Sequence, residues 1–505
     1  MGRAVRGAGW TILTGIGSRV VGLFGTLWLT YFLAPDVQGE VSDAFIVVLT
    51  AHQISTFGVA HYLVAQPTSG RDIAWHVTFF HFVLGVIAFS CVIAFRHSFG
   101  GLLDAPTMGI YVPGLALAMF LERMTMVPER LLARQLQFKR IGIGRTLGEV
   151  AYTAASIAFA SLGFGGMAIV YGNILRSVLN FAVLVTAVDR REWLTPTRLS
   201  MKTMRPVLKY ALPLSVGGFA TFASRKWDNL VISSIFGARV AGEYNLAYNL
   251  ADIPAVQVGE QIGDVLFPSF SQMAPDDRKR ALVRSTGLLA LIVFPLAVGL
   301  GAVAPTVVHA LLRPEWHGVA PMLVILSTLS VTRPVGWTIQ AYLQASQRSR
   351  AAMWLGLAKI AFLLASLVAI GRLTRDPLWA CAAVGFAYGL HSLASTWTVS
   401  REDGVSMSAL LWRCAAPLLA TVPMVAAIVG VRHLLSASGS TSSFIGLALE
   451  LVTGALAYLA SALVIARSTA KDFLNLARDG ILKRGRGRDP NVADSAVVAA
   501  SQPEI

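Results

Sequence analysis

The feature that most constrains this chain is a succession of apolar segments, each long enough to cross a lipid bilayer and joined mainly by short turns. A spanning helix needs roughly 20 mostly apolar residues, and in hydrocarbon every backbone donor and acceptor must be satisfied within the chain. On that yardstick about fourteen helical spans can be placed between Trp10 and Ala466. With 55% hydrophobic and 14% charged residues and a mean hydropathy of +0.63, no polar stretch remains that could enclose a soluble core. The expected fold class is an all-α polytopic membrane protein.

A formal charge of +15 could point to nucleic acid, so the placement of the basic residues decides. They gather in alternate loops: Arg130, Arg134, Lys139 and Arg140, then Arg190 through Lys209, then Arg278 to Arg284. The opposite loops hold only six, namely Arg96, Arg239, Arg313, Arg372, Arg375 and Arg432. This asymmetry predicts an even number of spans and a multi-pass membrane protein with both termini cytoplasmic. It accounts for the charge without nucleic acid, and such clusters also attract the anionic headgroups of membrane lipids. Arg3 and Arg6 precede an apolar run from Trp10 to about Leu33, too long for a signal-peptide core, which reads as a retained first span. Cys91, Cys381 and Cys414 lie in apolar runs without CxxC spacing and read as small buried hydrophobes.

A weak repeat appears at an offset of 203 residues. Gly39-Glu40 follows the first span as Gly242-Glu243 follows the seventh, and Ala44 aligns with Ala247. Units of six spans enter from the same side, which predicts parallel repeats in pseudo-twofold relation, with the cleft between them as a substrate path. The six-helix lobes are expected at 1–205 and 206–400, two additional C-terminal helices at 401–470, and a largely disordered cytoplasmic tail at 471–505.

Eight bases fall within spans: Arg19, Arg123, Arg145, Arg176, Arg225, Lys226, Arg333 and Lys359. Eight acids fall in or near them: Asp43, Glu122, Glu149, Asp228, Asp252, Glu260, Asp264 and Glu450. A charge at the bilayer centre costs about 3 kcal/mol or more, so each either pairs or faces water. Arg145 and Glu149, four apart, and Arg225 and Asp228, three apart, can pair on one helix face. Arg225, Lys226, Asp228 and Asn229 form the densest cluster, which needs water or a polar ligand. In the next span Asn245, Asn249, Asp252, Gln257, Glu260 and Asp264 share one helical sector, with Pro254 expected to bend it.

Carboxylates in a cavity can take up and release protons, which makes Asp252, Glu260 and Asp264 coupling candidates. The competing reading of this stripe is a hydrogen-bonded helix contact, which Asn245 and Asn249 fit best. Gly144/Gly148 and Gly259/Gly263 have the spacing of close helix packing. His52, His61, His76 and His81 match no zinc pattern and read as polar packing or weak lumen candidates.

Chemistry-bearing motifs are missing. There is no GxxxxGKS or GxxxxGKT phosphate loop, no GxSxG elbow and no DxD pair, so neither an enzyme nor a cofactor is expected. A membrane glycosyltransferase or polymerase would also need a sizeable external loop, and every external loop is short.

Several segments together resemble a known family. They are Leu33-Ala34-Pro35 with Gly39-Glu40, the run from Pro128 to Arg134 followed by Phe138, and Trp227-Asp228-Asn229. The longest runs from Gly242 to Asp252 and continues through Gly259 to Asp264 and Pro268-Ser269-Phe270. On these the chain, over about residues 1–470, resembles the Wzx-type polysaccharide transporters of the multidrug/oligosaccharidyl-lipid/polysaccharide flippase superfamily. The resemblance implies two lobes around a hydrated cavity, alternating access, and flipping of an undecaprenyl-pyrophosphate oligosaccharide from cytoplasm to periplasm. It also implies a polysaccharide polymerase and co-polymerase as partners. Cationic residues of such a cavity would meet the pyrophosphate, which favours Arg225 and Lys226, then Arg19, Arg123 and Arg333. A multidrug antiporter of the same superfamily is the alternative, and it would want an acidic cavity instead.

Overall fold

The computed structural model describes residues 17, 21–66, 70–437 and 444–485, leaving aside the side chains of 213, 214, 253–265, 268, 349, 476, 477 and 479–485. The apolar runs become helices in chain order, beginning with α1 (21–29). There follow α2 (Pro35–Thr56), α3 (Tyr62–Ala65), α4 (Arg71–Ala94), α5 (Arg96–Leu102), α6 (Met108–Arg134), α7 (Phe138–Ser161), α8 (Met167–Ala187) and α9 (Met201–Ser271). The second half holds α10 (Pro275–Leu311), α11 (Val319–Leu329), α12 (Arg333–Ala345), α13 (Ser349–Thr374), α14 (Pro377–Asp403), α15 (Met407–Leu419), α16 (Thr421–Ala437), α17 (Phe444–Ile465) and α18 (Arg467–Gly485). The fold is an all-α polytopic membrane protein.

Among the described residues nine helices are long and apolar enough to cross a bilayer, and ten if the bent pair of α2 with residues 59–65 is one span. Of the other four expected spans, the first (10–33) falls largely outside the described residues, and α7 and both arms of α9 carry charged and small polar residues that lower their hydropathy. The second expected span is broken where Phe57 (φ 48°) and Gly58 (φ 58°) take left-handed conformations, bending the chain by 51°. Expected spans seven and eight merge into the 71-residue α9, whose one departure from helical φ/ψ is at Gly237 (φ 82°) rather than at Pro254. Tyr244 Oη donates to Asp228 at 2.7 Å and Asn245 Nδ2 to Asn229 at 2.9 Å, both across 16 residues. Sixteen residues of straight helix would separate these groups by about 24 Å, so the two arms fold back on one another around Gly237. Only glycine adopts that φ without strain.

α18 runs from Arg467 to Gly485, and the rest of the tail, residues 486–505, lies outside the described ones.

Close packing follows the small residues. Gly144 and Gly148 let α7 approach α8 so nearly that a Cβ on Gly148 would stand 3.1 Å from Arg176 Cγ. The Gly259/Gly263 pair lies among the side chains left aside. Glu450 of α17, 1% exposed, accepts from Arg432 of α16 at 2.9 Å and from Thr306 of α10 at 2.8 Å, which anchors the last helices to α10. The cysteines divide, with Cys381 buried, Cys414 intermediate and Cys91 exposed on the apolar exterior, contrary to the expectation of burial for all three.

The two halves meet tightly at the face opposite the basic loops. There Gly39 of α2 and Gly242 of α9, the residues matched by the repeat, stand face to face. A Cβ on Gly39 would collide with the Ala238 carbonyl, and one on Gly242 with the Pro35 carbonyl. The neighbouring acids occupy equivalent places. Glu40 accepts the Thr107 backbone N–H at 3.3 Å at the start of α6, and the Glu243 carboxylate lies against Gly318 at the start of α11. Helix N-termini favour negative charge, so each acid ties its helix to the junction. Ser233 donates to Asp43 across the same seam, and Trp316 Nε1 donates to the Leu33 carbonyl at 3.1 Å.

Candidate functional site

Residues of α9, α12, α13 and α14 enclose a cavity of about 740 Å³. It extends from Tyr248 and Tyr388 to Gln344 and Arg350, beside the turn at 346–348 on the basic face. All its lining residues belong to the second half of the chain, so it does not sit in an even cleft between the halves as expected. The charges of the two halves are also disposed differently. In the first half Arg145 pairs with Glu129 at 2.7 Å and Arg176 with Glu149 at 3.6 Å, which replaces the expected Arg145–Glu149 pair.

Arg123 is wholly buried in that first half, away from the cavity. It donates to the His81 carbonyl at 2.6 Å and to the Ser55 Oγ and carbonyl at 2.7 Å each. It therefore pins α6 to α2 and α4, with the His52 and His81 rings buried nearby on those helices. His76 likewise packs, accepting the Ser200 N–H at 2.9 Å.

In the second half the cations converge. Arg225, Arg333, Arg350 and Lys359 line the cavity together with Asp252. Arg333 pairs with Asp252, and its guanidinium stands over the rings of Tyr388 at 4.8 Å and Tyr248 at 5.5 Å. Lys359 Nζ lies 5.0 Å from the centre of the Tyr388 ring. The two phenols approach at 3.4 Å, and Tyr388 Oη donates to the Ser224 carbonyl at 3.3 Å, which fixes the aromatic partition between the cations. Such cation–π contacts hold a positive charge without neutralising it.

Local structure explains why Arg333 projects here. The span holding it is interrupted by a 3-10 turn at Ser330–Thr332, and α12 starts at Arg333 with Pro334 in its first turn. Ser392 Oγ donates to the Thr332 carbonyl at 2.7 Å, which ties this turn to α14. The helix is thus locally tightened one residue before a guanidinium that lies inside the membrane.

The remaining candidates separate. Lys226 is half-buried and is not among the cavity-lining residues. Asp228 is fully buried and accepts from Tyr244 and, at 3.0 Å, from the Asn229 N–H. Asn249 donates to Asn245 at 2.9 Å and Asn245 to Asn229 at 2.9 Å, a ladder joining the arms of α9 rather than facing the cavity. Arg19 lies outside the described residues, as do the side chains of Gln257, Glu260 and Asp264.

Lys359 stood among the intramembrane bases yet was not singled out, and Arg350, Trp337, Gln340, Tyr388 and His391 were missed. For α12 a signal existed, because positions 333, 337, 340 and 344 fall on one helix face.

The fold is that of a polytopic membrane protein with a cavity among its helices, and solved structures share it. The fold matches a structure described as lipid II flippase MurJ in an inward closed conformation (TM-score 0.72, 13% identity, 91% of this chain and 99% of that one). It also matches a multidrug resistance MATE family transporter of the MOP superfamily in an inward-facing conformation (TM-score 0.64, 14% identity, 78% and 96%). A protein-family model described as "Polysaccharide biosynthesis protein" matches residues 28–321. The chain belongs to that family, as the resemblance to Wzx-type transporters implied. Relatives include the succinoglycan biosynthesis transport protein ExoT of Rhizobium meliloti (strain 1021), 24% identical over 482 residues, covering 94% of this chain and 95% of ExoT. The lipopolysaccharide biosynthesis protein WzxC of Escherichia coli (strain K12) is 23% identical over 348 residues, 68% of this chain and 70% of WzxC. Of these relatives ExoT is named as a transport protein, and the two solved structures are described as a flippase and a transporter.

Proposed function

We propose that the protein carries a lipid-linked oligosaccharide across the bacterial inner membrane by alternating access, from the cytoplasmic to the periplasmic face. The observation that carries this reading is a cationic cavity reaching the basic face while the opposite ends of the halves are locked at Gly39 and Gly242. With the basic loops and both termini placed in the cytoplasm, this is an inward-facing arrangement. Arg225, Arg333 and Lys359 receive the diphosphate, since forked guanidinium groups match phosphate oxygens. Asp252 holds Arg333 until the anion arrives and then competes with it for release, which makes it the coupling residue. A junction near residue 205 divides the lobes, and the product passes to a polymerase and co-polymerase.

An antiporter of organic cations would need the opposite sign of charge around the cavity. The test is a flipping assay in proteoliposomes with fluorescent undecaprenyl diphosphate oligosaccharide. Arg333→Gln is expected to abolish translocation while the protein inserts and purifies normally. Unimpaired flipping by Arg333→Gln and by Lys359→Gln would sink the assignment.

A further inference from the structure

From Arg333 toward the basic face the lining of α12 is uncharged. Gly336, Trp337, Gln340 and Gln344 border the cavity there, with the buried Ile339 and Leu343 beside them, and 337, 340 and 344 keep to one side of the helix at spacings of three and four. Between residues 337 and 344 this face rises about 10 Å.

The back of the same helix is pinned. Thr338, fully buried, shares a hydrogen bond of 2.8 Å with Thr286 of α10, so the stripe cannot rotate away from the cavity. Trp337 packs against buried Leu289 and Val293 of α10, which holds the indole as a fixed wall. Gln340 and Gln344 are exposed, and among the described residues neither side chain has a hydrogen-bond partner. Each amide keeps two donors and an acceptor for something else.

This wall suits neither end of a lipid diphosphate. Below Arg333 α12 itself offers no cation to a phosphate, Arg350 at the cavity mouth belonging to α13, and an alkyl chain gains nothing from two open amides. A fixed aromatic face beside amide donors and acceptors matches a sugar ring, whose C–H face covers the indole while its hydroxyls exchange hydrogen bonds with the amides. We propose that Trp337, Gln340 and Gln344 form a saccharide subsite, separate from the cationic site at Arg225, Arg333 and Lys359, and that this stripe sets which saccharide is accepted. The inference rests on reading the cavity as the path of a lipid-linked oligosaccharide. The cations recognise what all such lipids share, and the α12 stripe reads what differs between them.

Binding to the purified protein in nanodiscs, followed by native mass spectrometry, separates the two sites. The probes are undecaprenyl diphosphate alone and the same lipid bearing glucose, galactose or N-acetylglucosamine. At least one sugar-bearing lipid is expected to bind about tenfold more tightly than the bare lipid. Trp337→Ala and Gln340→Leu remove that preference and leave bare-lipid binding within about twofold, while Trp337→Phe keeps part of it. Equal binding of all probes by the wild type, or equal weakening of bare and glycosylated lipid in the variants, overturns the saccharide subsite while the transport reading stands. Failure of the wild type to bind any probe overturns both.

Discussion

At the scale of single residues, two arginines of similar sequence context have opposite roles. Arg123 spends its donors on the Ser55 and His81 backbone and the Ser55 hydroxyl, whereas Arg333 faces a cavity with one carboxylate and two tyrosine rings beside it. Charge-assisted hydrogen bonds of the first kind stabilise a fold, so Arg123→Met is expected to cost roughly 2–3 kcal/mol. A lowered melting temperature in detergent with ligand affinity retained is the corresponding measurement. The Asp252–Arg333 pair calls for a different experiment. Removing the negative charge in Asp252→Asn leaves the guanidinium more available, so inorganic pyrophosphate should bind several-fold more tightly by titration calorimetry. Turnover should fall, because the group that competes for Arg333 during release is gone. Weaker pyrophosphate binding in Asp252→Asn would count against this assignment. Both arginines were visible in the sequence as intramembrane cations, but nothing in their spacing told which one had found carbonyls.

At the scale of elements, glycine decides how closely helices meet. Gly39 and Gly242 place the start of α2 against the turn of α9, where a side chain on either would strike a backbone carbonyl of the other. Backbone cannot yield as a flexible side chain does, so Gly39→Val or Gly242→Val is expected to separate the halves at this face. Cysteines introduced nearby should then react faster with a membrane-impermeant maleimide added from that side, with unchanged labelling arguing against a tight seal. The repeat made this glycine pair legible beforehand, and the structure shows the two copies touching. The hairpin of α9 was half legible. Its Gly237 lay in the expected turn between two spans, while the bend was expected at Pro254.

For the whole molecule, alternating access requires the contact at Gly39 and Gly242 to open when the cavity closes toward the basic face. Ser233 and Asp43 bridge the same seam. Replacing both by cysteine should allow an oxidant to crosslink the halves, halting translocation until a reductant is added. Full transport by the crosslinked protein would show that this seam does not part during the cycle. The measurement belongs at this scale because no single helix opens or closes the path.

Sequence alone determined the solvent and the framework. Runs of apolar residues long enough to span a bilayer force helices, because backbone polar groups have no other partners there. The asymmetric loop charges orient them, and the matched Gly-Glu pairs mark the repeat. Tertiary structure alone decided which buried charges are spent and which remain available. Pairing depends on distances between helices far apart in the chain, such as α9 to α12 for Asp252 and Arg333, and local spacing carries no information about them. Hence Glu149 met Arg176 rather than Arg145, and four cations, Arg225, Arg333, Arg350 and Lys359, came to line one cavity with the single carboxylate of Asp252.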